Sequence, residues 1–208
     1  MSDYLTDEEQ LDKLKKWWEE NGLMLAGAVV VAVAGVIGWN WYGQSQAEAV
    51  AGSSDLYVDY LSAEAAERET IEATLAQEYP GSVYRAFIAL RNAQAEADSE
   101  NPEGALVALN EALALVDDDR LADVIRIRIA RVEQELDRSD AALATLGQVR
   151  SIGLRSQVQE LKGDIHMARG ERALAHEAYS AALDEAGEQA QRPLLKLKVA
   201  DTADANEA

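Results

Sequence analysis

The sequence predicts an all-α protein, with a single N-terminal transmembrane helix followed by a helical-repeat solenoid. Three observations carry this expectation. Eighteen residues without a charged side chain run from Gly22 to Trp39. Beyond them the chain is written mainly in Ala, Leu, Glu, Arg and Gln, the residues that helices favour. Small residues then recur at helical spacing with a period of 33 to 37 residues. The β-branched and aromatic residues that strands favour are thin outside the apolar run, and there are one Phe and three Pro.

The first 21 residues form the predicted cytoplasmic tail. Thr6 and Glu9 have the spacing of a capping box, and Leu11, Leu14 and Trp18 recur at helical intervals. This pattern fits either a short amphipathic helix on the inner leaflet or an extension of the membrane helix. Residues 22–42 form the predicted span. At about 1.5 Å rise per residue, the uncharged run covers about 27 Å, close to a bilayer hydrocarbon core. All four tryptophans stand at its ends, Trp17 and Trp18 before it and Trp39 and Trp41 after it. Indole rings prefer the membrane interface, so these four are the predicted interface anchors. Small residues at 45–49 would suit a signal peptidase, but the apolar run exceeds the ~7–15 residues of a signal core. The segment is therefore read as a retained anchor.

Direction follows from Lys13, Lys15 and Lys16, since no Lys or Arg follows the span until Arg68. The positive-inside rule counts bases near the span and places the N-terminus in the cytoplasm. Residues 43–208 then lie across the inner membrane, in the periplasm of a bacterium. Two faces of the span carry small residues, one with Gly27, Ala34 and Gly38 and the other with Ala28, Ala32 and Gly35. Neither stands out as a helix-packing seam.

In the large domain, residues 44–78 read as two helices around a break near Ser62–Ala66. Tyr79-Pro80-Gly81-Ser82 forces a turn before a helix over Val83–Ala97. The clearest repeat follows at 161–183, where Gly163, Gly170, Ala175, Tyr179 and Ala182 match the tetratricopeptide pattern. Gly163, Ala175 and Ala182 would let two antiparallel helices approach closely, with Tyr179 filling space toward the next unit. One period earlier, Ala130, Ala142, Leu146 and Val149 occupy matching places. Earlier still come Ala105, Leu109 and Ala112. The predicted turns are Ser99–Gly104, Asp137–Asp140 and Arg169–Arg172. Pro193 opens a last helix with Leu194, Leu195, Leu197 and Val199, expected to cap the final repeat. From Asp201 the tail is expected to fray.

Composition bounds the function. The formal charge is −19, of which −15 belongs to residues 22–208. Such a field repels phosphate backbones, so no nucleic-acid partner is expected. The absence of cysteine removes disulfides, zinc–thiolate sites and thiol chemistry. No phosphate loop, dinucleotide fingerprint or nucleophile elbow is present. His166 and His176 read as surface residues, and no carboxylate is marked out by an apolar neighbourhood with a partner. The expectation is a protein that is not an enzyme and has no catalytic, cofactor-binding or metal residues.

Taken together, a lysine-bearing tail, one span, Glu78–Leu90 (EYPGSVYRAFIAL), degenerate repeats and Arg192–Asp201 (RPLLKLKVAD) resemble the YfgM-like family. Its members are ancillary subunits of the bacterial SecYEG translocon. The resemblance covers nearly the whole chain and is most specific at Tyr79–Tyr84, Leu161–Gly170 and Pro193–Leu195. Lys162 departs from it, standing where such repeats place a Leu before the glycine. The resemblance implies three kinds of partner: the translocon, a membrane-anchored periplasmic prolyl isomerase chaperone, and secretory chains. It implies a role in handing emerging secretory proteins to periplasmic chaperones. A scaffold for another cell-envelope assembly machine is the alternative.

Overall fold

The computed structural model describes residues 7–187 and 192–203; Thr6, half of the expected capping box, lies outside them. The chain divides into two units, Met1–Gly52 and Ser53–Ala208. In the first, helix α1 (Asp7–Ser62) runs through the tail and the apolar segment without a break. This decides between the two readings of the tail, which extends the apolar helix. The reason is local: no Pro interrupts residues 9–42, so the helix ladder can continue even through Asn21-Gly22.

The second unit begins in the last turns of α1 and contains helices and their connections, with no strand among its described residues. Helices α2 (Ala65–Glu78), α3 (Val83–Asp98), α4 (Pro102–Ala114), α5 (Asp119–Glu135), α6 (Ser139–Leu146), α7 (Arg155–Ala168), α8 (Arg172–Ala186) and α9 (Pro193–Thr202) follow in order. A short 3-10 turn, Ile152–Leu154, precedes α7. Side chains start several of them. Ser82 accepts from the Tyr84 N–H, Asn101 from Gly104 and Asp118 from Leu121, each satisfying an orphan donor of a first turn. Pro102 and Pro193 sit in first turns, where a missing N–H costs nothing.

Three helical hairpins, α3–α4, α5–α6 and α7–α8, form the body of the unit. Their turns share one geometry. Glu100, Asp137 and Gly170 adopt left-handed backbone at φ 57°, 58° and 75°. The next residue's N–H then reaches back five positions, Asn101 to Glu96 O, Arg138 to Glu133 O and Glu171 to His166 O, at 2.8–2.9 Å. That 6→1 bond closes the end of the helix before the chain reverses. The three residues are 37 and 33 positions apart, the same intervals that separate Ala105, Ala142 and Ala175.

Packing repeats with the turns. Ala105, Ala112, Ala130, Ala142, Gly163, Ala175, Tyr179 and Ala182 are all buried. Ala93 on α3, missed in the sequence, occupies the place of Ala130 and Gly163 one repeat earlier and is buried as well. Counting 37 back from Ala130 would have found it. Tyr60, Ile71, Leu75 and Ile88 make a separate core where the end of α1 and α2 meet α3.

Tyr179 packs against Leu195 of the following helix α9 and also lies over Gly163 within its own hairpin, where a Cβ at Gly163 would meet the ring at 2.4 Å. Two expectations are corrected. Val149 lies beyond the end of α6, which stops at Leu146. Asp201 and Thr202 still belong to α9, and Thr202 is buried against His176. Beyond Ala203 the expected frayed tail lies outside the described residues.

Candidate functional site

Two regions are candidates for contact with other molecules. The first is the apolar stretch of α1. It is long and apolar enough to cross a membrane, and almost none of it is buried within the protein. Leu23, Val31, Val36 and Ile37 are exposed, and so are Trp17, Trp18, Trp39 and Trp41, with Trp39 at 80%. A water-facing helix would not leave this much contiguous apolar surface uncovered.

The second region is the surface formed by α3, α5 and α7 with α9 at its end. Between α3, α4 and α5 lies an open cleft of about 360 Å³ floored by Ala93, Ala105 and Leu109 and edged by Arg128 and Arg131. A second cleft, of about 330 Å³, lies between α5 and α7 and is lined by Arg131, Gln157, Glu160 and Asp164. The surface therefore changes character along its length, from apolar and basic to acidic.

At the far end α9 is held by charge. Lys198 Nζ donates to Glu160 Oε1 at 3.1 Å and to Asp164 Oδ1 at 2.6 Å. Arg192 also pairs with Glu160, and Tyr179 donates its hydroxyl to Asp164 at 2.7 Å. Burial pushes the Tyr179 phenol well above its ordinary value, and the Asp164 carboxylate beside it adds to the rise. For Lys198, burial disfavours the ammonium, but the bonds to Asp164 and Glu160 outweigh it and raise its pKa. Leu195 on α9 is buried against Ala175, Tyr179 and Ala182, so α9 covers the end of the last hairpin.

The titratable residues are placed differently from the sequence reading. Asp123 on α5 is 1% exposed and has partners, contrary to the expectation that no carboxylate is so marked. Its Oδ2 accepts from the Arg150 N–H, the Ser151 N–H and the Ser151 hydroxyl at 2.7–2.9 Å, and Oδ1 pairs with Arg126. Burial alone would raise its pKa. The bonds from Ser151, Arg150 and Arg126 outweigh burial and hold the carboxyl below its usual range. This carboxylate ties down the loop that follows α6, a structural task. The sequence reading missed it because, apart from Arg126, its partners lie 27 and 28 residues away. His166 and His176 are half-buried rather than free on the surface. His166 Nδ1 faces Glu171 at 2.6 Å, whereas His176 Nδ1 faces Val199 O and Thr202.

This arrangement of hairpins and capping helix can be set beside known proteins. The family model of the tetratricopeptide repeat-like domain matches residues 15–204. The chain belongs to that family. Several relatives are similar along nearly their whole length. A Haemophilus influenzae protein named ancillary SecYEG translocon subunit is 29% identical over 94% of this chain and 97% of its own. Proteins of the same name from Escherichia coli and Neisseria gonorrhoeae are 28% and 25% identical, each over 96% of this chain and 98% of theirs. The match runs through the apolar part of α1 as well as the hairpins, so the repeat family here includes the membrane-type helix.

Proposed function

We propose that the chain is an ancillary subunit of a bacterial SecYEG translocon, anchored in the inner membrane by residues 22–42. The observation that supports this most is the end-to-end similarity to relatives of that name, spanning both the apolar helix and the repeats. In this reading Trp17, Trp18, Trp39 and Trp41 seat the span at the two interfaces. Lys13, Lys15 and Lys16 hold the N-terminus in the cytoplasm, and residues 43–208 stand in the periplasm. The span associates with the translocon or with a membrane-anchored prolyl isomerase. The repeat domain helps pass emerging secretory chains to periplasmic chaperones. The protein acts by binding, not by catalysis: tethering raises the effective concentration of its repeat surface near any partner in the same membrane.

In-cell photo-crosslinking tests the reading. A probe at the exposed Val31 should crosslink to translocon subunits; crosslinks confined to other envelope-assembly proteins would replace the reading with the scaffold alternative. Topology is tested with an impermeant maleimide on intact cells. Ser53 is buried, so the exposed Asp55 is the better site. Asp55→Cys should label and Asp12→Cys should not; the reverse pattern would invert the topology.

A further inference from the structure

We propose that the cleft between α3, α4 and α5 is a docking site for an acidic peptide segment of a partner protein that carries a large apolar side chain. The proposal rests on the repeat domain being an interaction module, not on which machine it serves. Ala93 and Leu109 form the floor, and Leu90 and Val132 are half-buried walls, so an apolar side chain can replace water there. Arg128 and Arg131 stand at the rim three residues apart on α5, and such positions are neighbours on a helix surface.

Charge selects the occupant. Arg126, Arg138, Arg155, Arg169 and Arg192 each pair with a carboxylate. Arg128 and Arg131 are exposed and make no ion pair among the described residues, and no carboxylate lines the cleft between α3, α4 and α5. The neighbouring cleft between α5 and α7, which Arg131 also borders, contains Glu160 and Asp164, and the one between α2, α3 and α4 contains Glu69, Glu72 and Glu111 beside Arg85. In an acidic domain this is a local basic rim over an apolar floor. Two guanidinium forks match side-chain carboxylates. A polyphosphate would also meet the arginines, but its extended charge would be repelled by the surrounding net of −15. A short acidic segment brings few charges and places them at the rim.

The test uses the full chain in detergent micelles and a fluorescein-labelled peptide, Gly-Ser-Glu-Leu-Leu-Glu-Ser-Gly, followed by fluorescence anisotropy. Saturable binding is expected, weakening with added salt. Replacing both glutamates by glutamine, or both leucines by alanine, should weaken it about tenfold or more. Arg128→Gln with Arg131→Gln should do the same, with the thermal midpoint unchanged because both side chains are exposed. Absence of saturable binding, equal affinity for the glutamine peptide, or an indifferent double variant would each overturn the assignment. If Val31 still crosslinks to translocon subunits in that case, only the cleft assignment falls and the translocon reading stands.

Discussion

The middle hairpin α5–α6 and the last hairpin α7–α8 share a 33-residue register but solve the same packing problem differently. In the last, a glycine at the close-approach position of the first helix leaves room for an aromatic ring on the second: Gly163 faces Tyr179. In the middle hairpin the equivalent pair is Ala130 and Leu146, both buried in one core. The second helices differ more. Helix α8 runs for 15 residues, whereas α6 ends after 8. Past Leu146 the chain is redirected, and Asp123 of α5 binds the backbone of Arg150 and Ser151 from below. The repeat spacing therefore fixes where two helices touch, while a buried polar group holds the loop that follows the shorter one.

Removing that group should have the largest effect. Asp123→Ala strips a buried carboxylate from three donors and from Arg126, whose Nε already has no partner among the described residues, and should cost about 3 kcal/mol. Thermal unfolding of residues 43–208 reads it. The same group sets an acid limit. Its folded pKa is depressed, so its contribution is present above the unfolded value near ~4 and is lost as pH falls through the folded value. Wild-type stability should therefore drop below about pH 4, and Asp123→Asn should flatten that part of the curve.

Next comes the close contact. Gly163→Ala puts a methyl into the Tyr179 ring and should cost about 2 kcal/mol. Adding Tyr179→Leu, which copies the Ala130–Leu146 pair, should recover much of the loss. If the single substitution leaves the midpoint unchanged, the two hairpins do not differ as described.

Tyr179→Phe keeps the ring over Gly163 but removes the bond to Asp164, for an expected loss of about 1 kcal/mol. The turns supply a matching gain. Glu100 holds a left-handed conformation that Gly170 holds freely, so Glu100→Gly should stabilise by about 0.5 kcal/mol or more. The smallest effect is expected at the exposed pair Arg138–Glu103, where Arg138→Gln should change stability by less than about 0.5 kcal/mol. A large loss there would mean that neighbouring turns are coupled by charge more strongly than solvent screening allows.

Much of this was legible in the chain. Ala105, Ala142 and Ala175 with Gly163 and Tyr179 marked the repeats because close helix packing demands small residues at fixed intervals. The turns at 99–104, 137–140 and 169–172 were legible as well, although Glu100 and Asp137 concealed that all three share Gly170's backbone geometry. The four tryptophans and three lysines around residues 22–42 carried the membrane reading, since partition between water and lipid depends on composition.

The tertiary structure alone decided what depends on residues far apart in sequence. Asp123 looks like any helix-surface acid until a loop 27 residues later closes on it. Arg128 and Arg131 look like two more surface cations until α3 and α4 set an apolar floor beside them, in a cleft that no carboxylate lines. Local propensity and periodicity act over one helical turn and are written in neighbouring residues. Burial and charge pairing act across whatever packing brings together, so they become visible only when the hairpins are stacked.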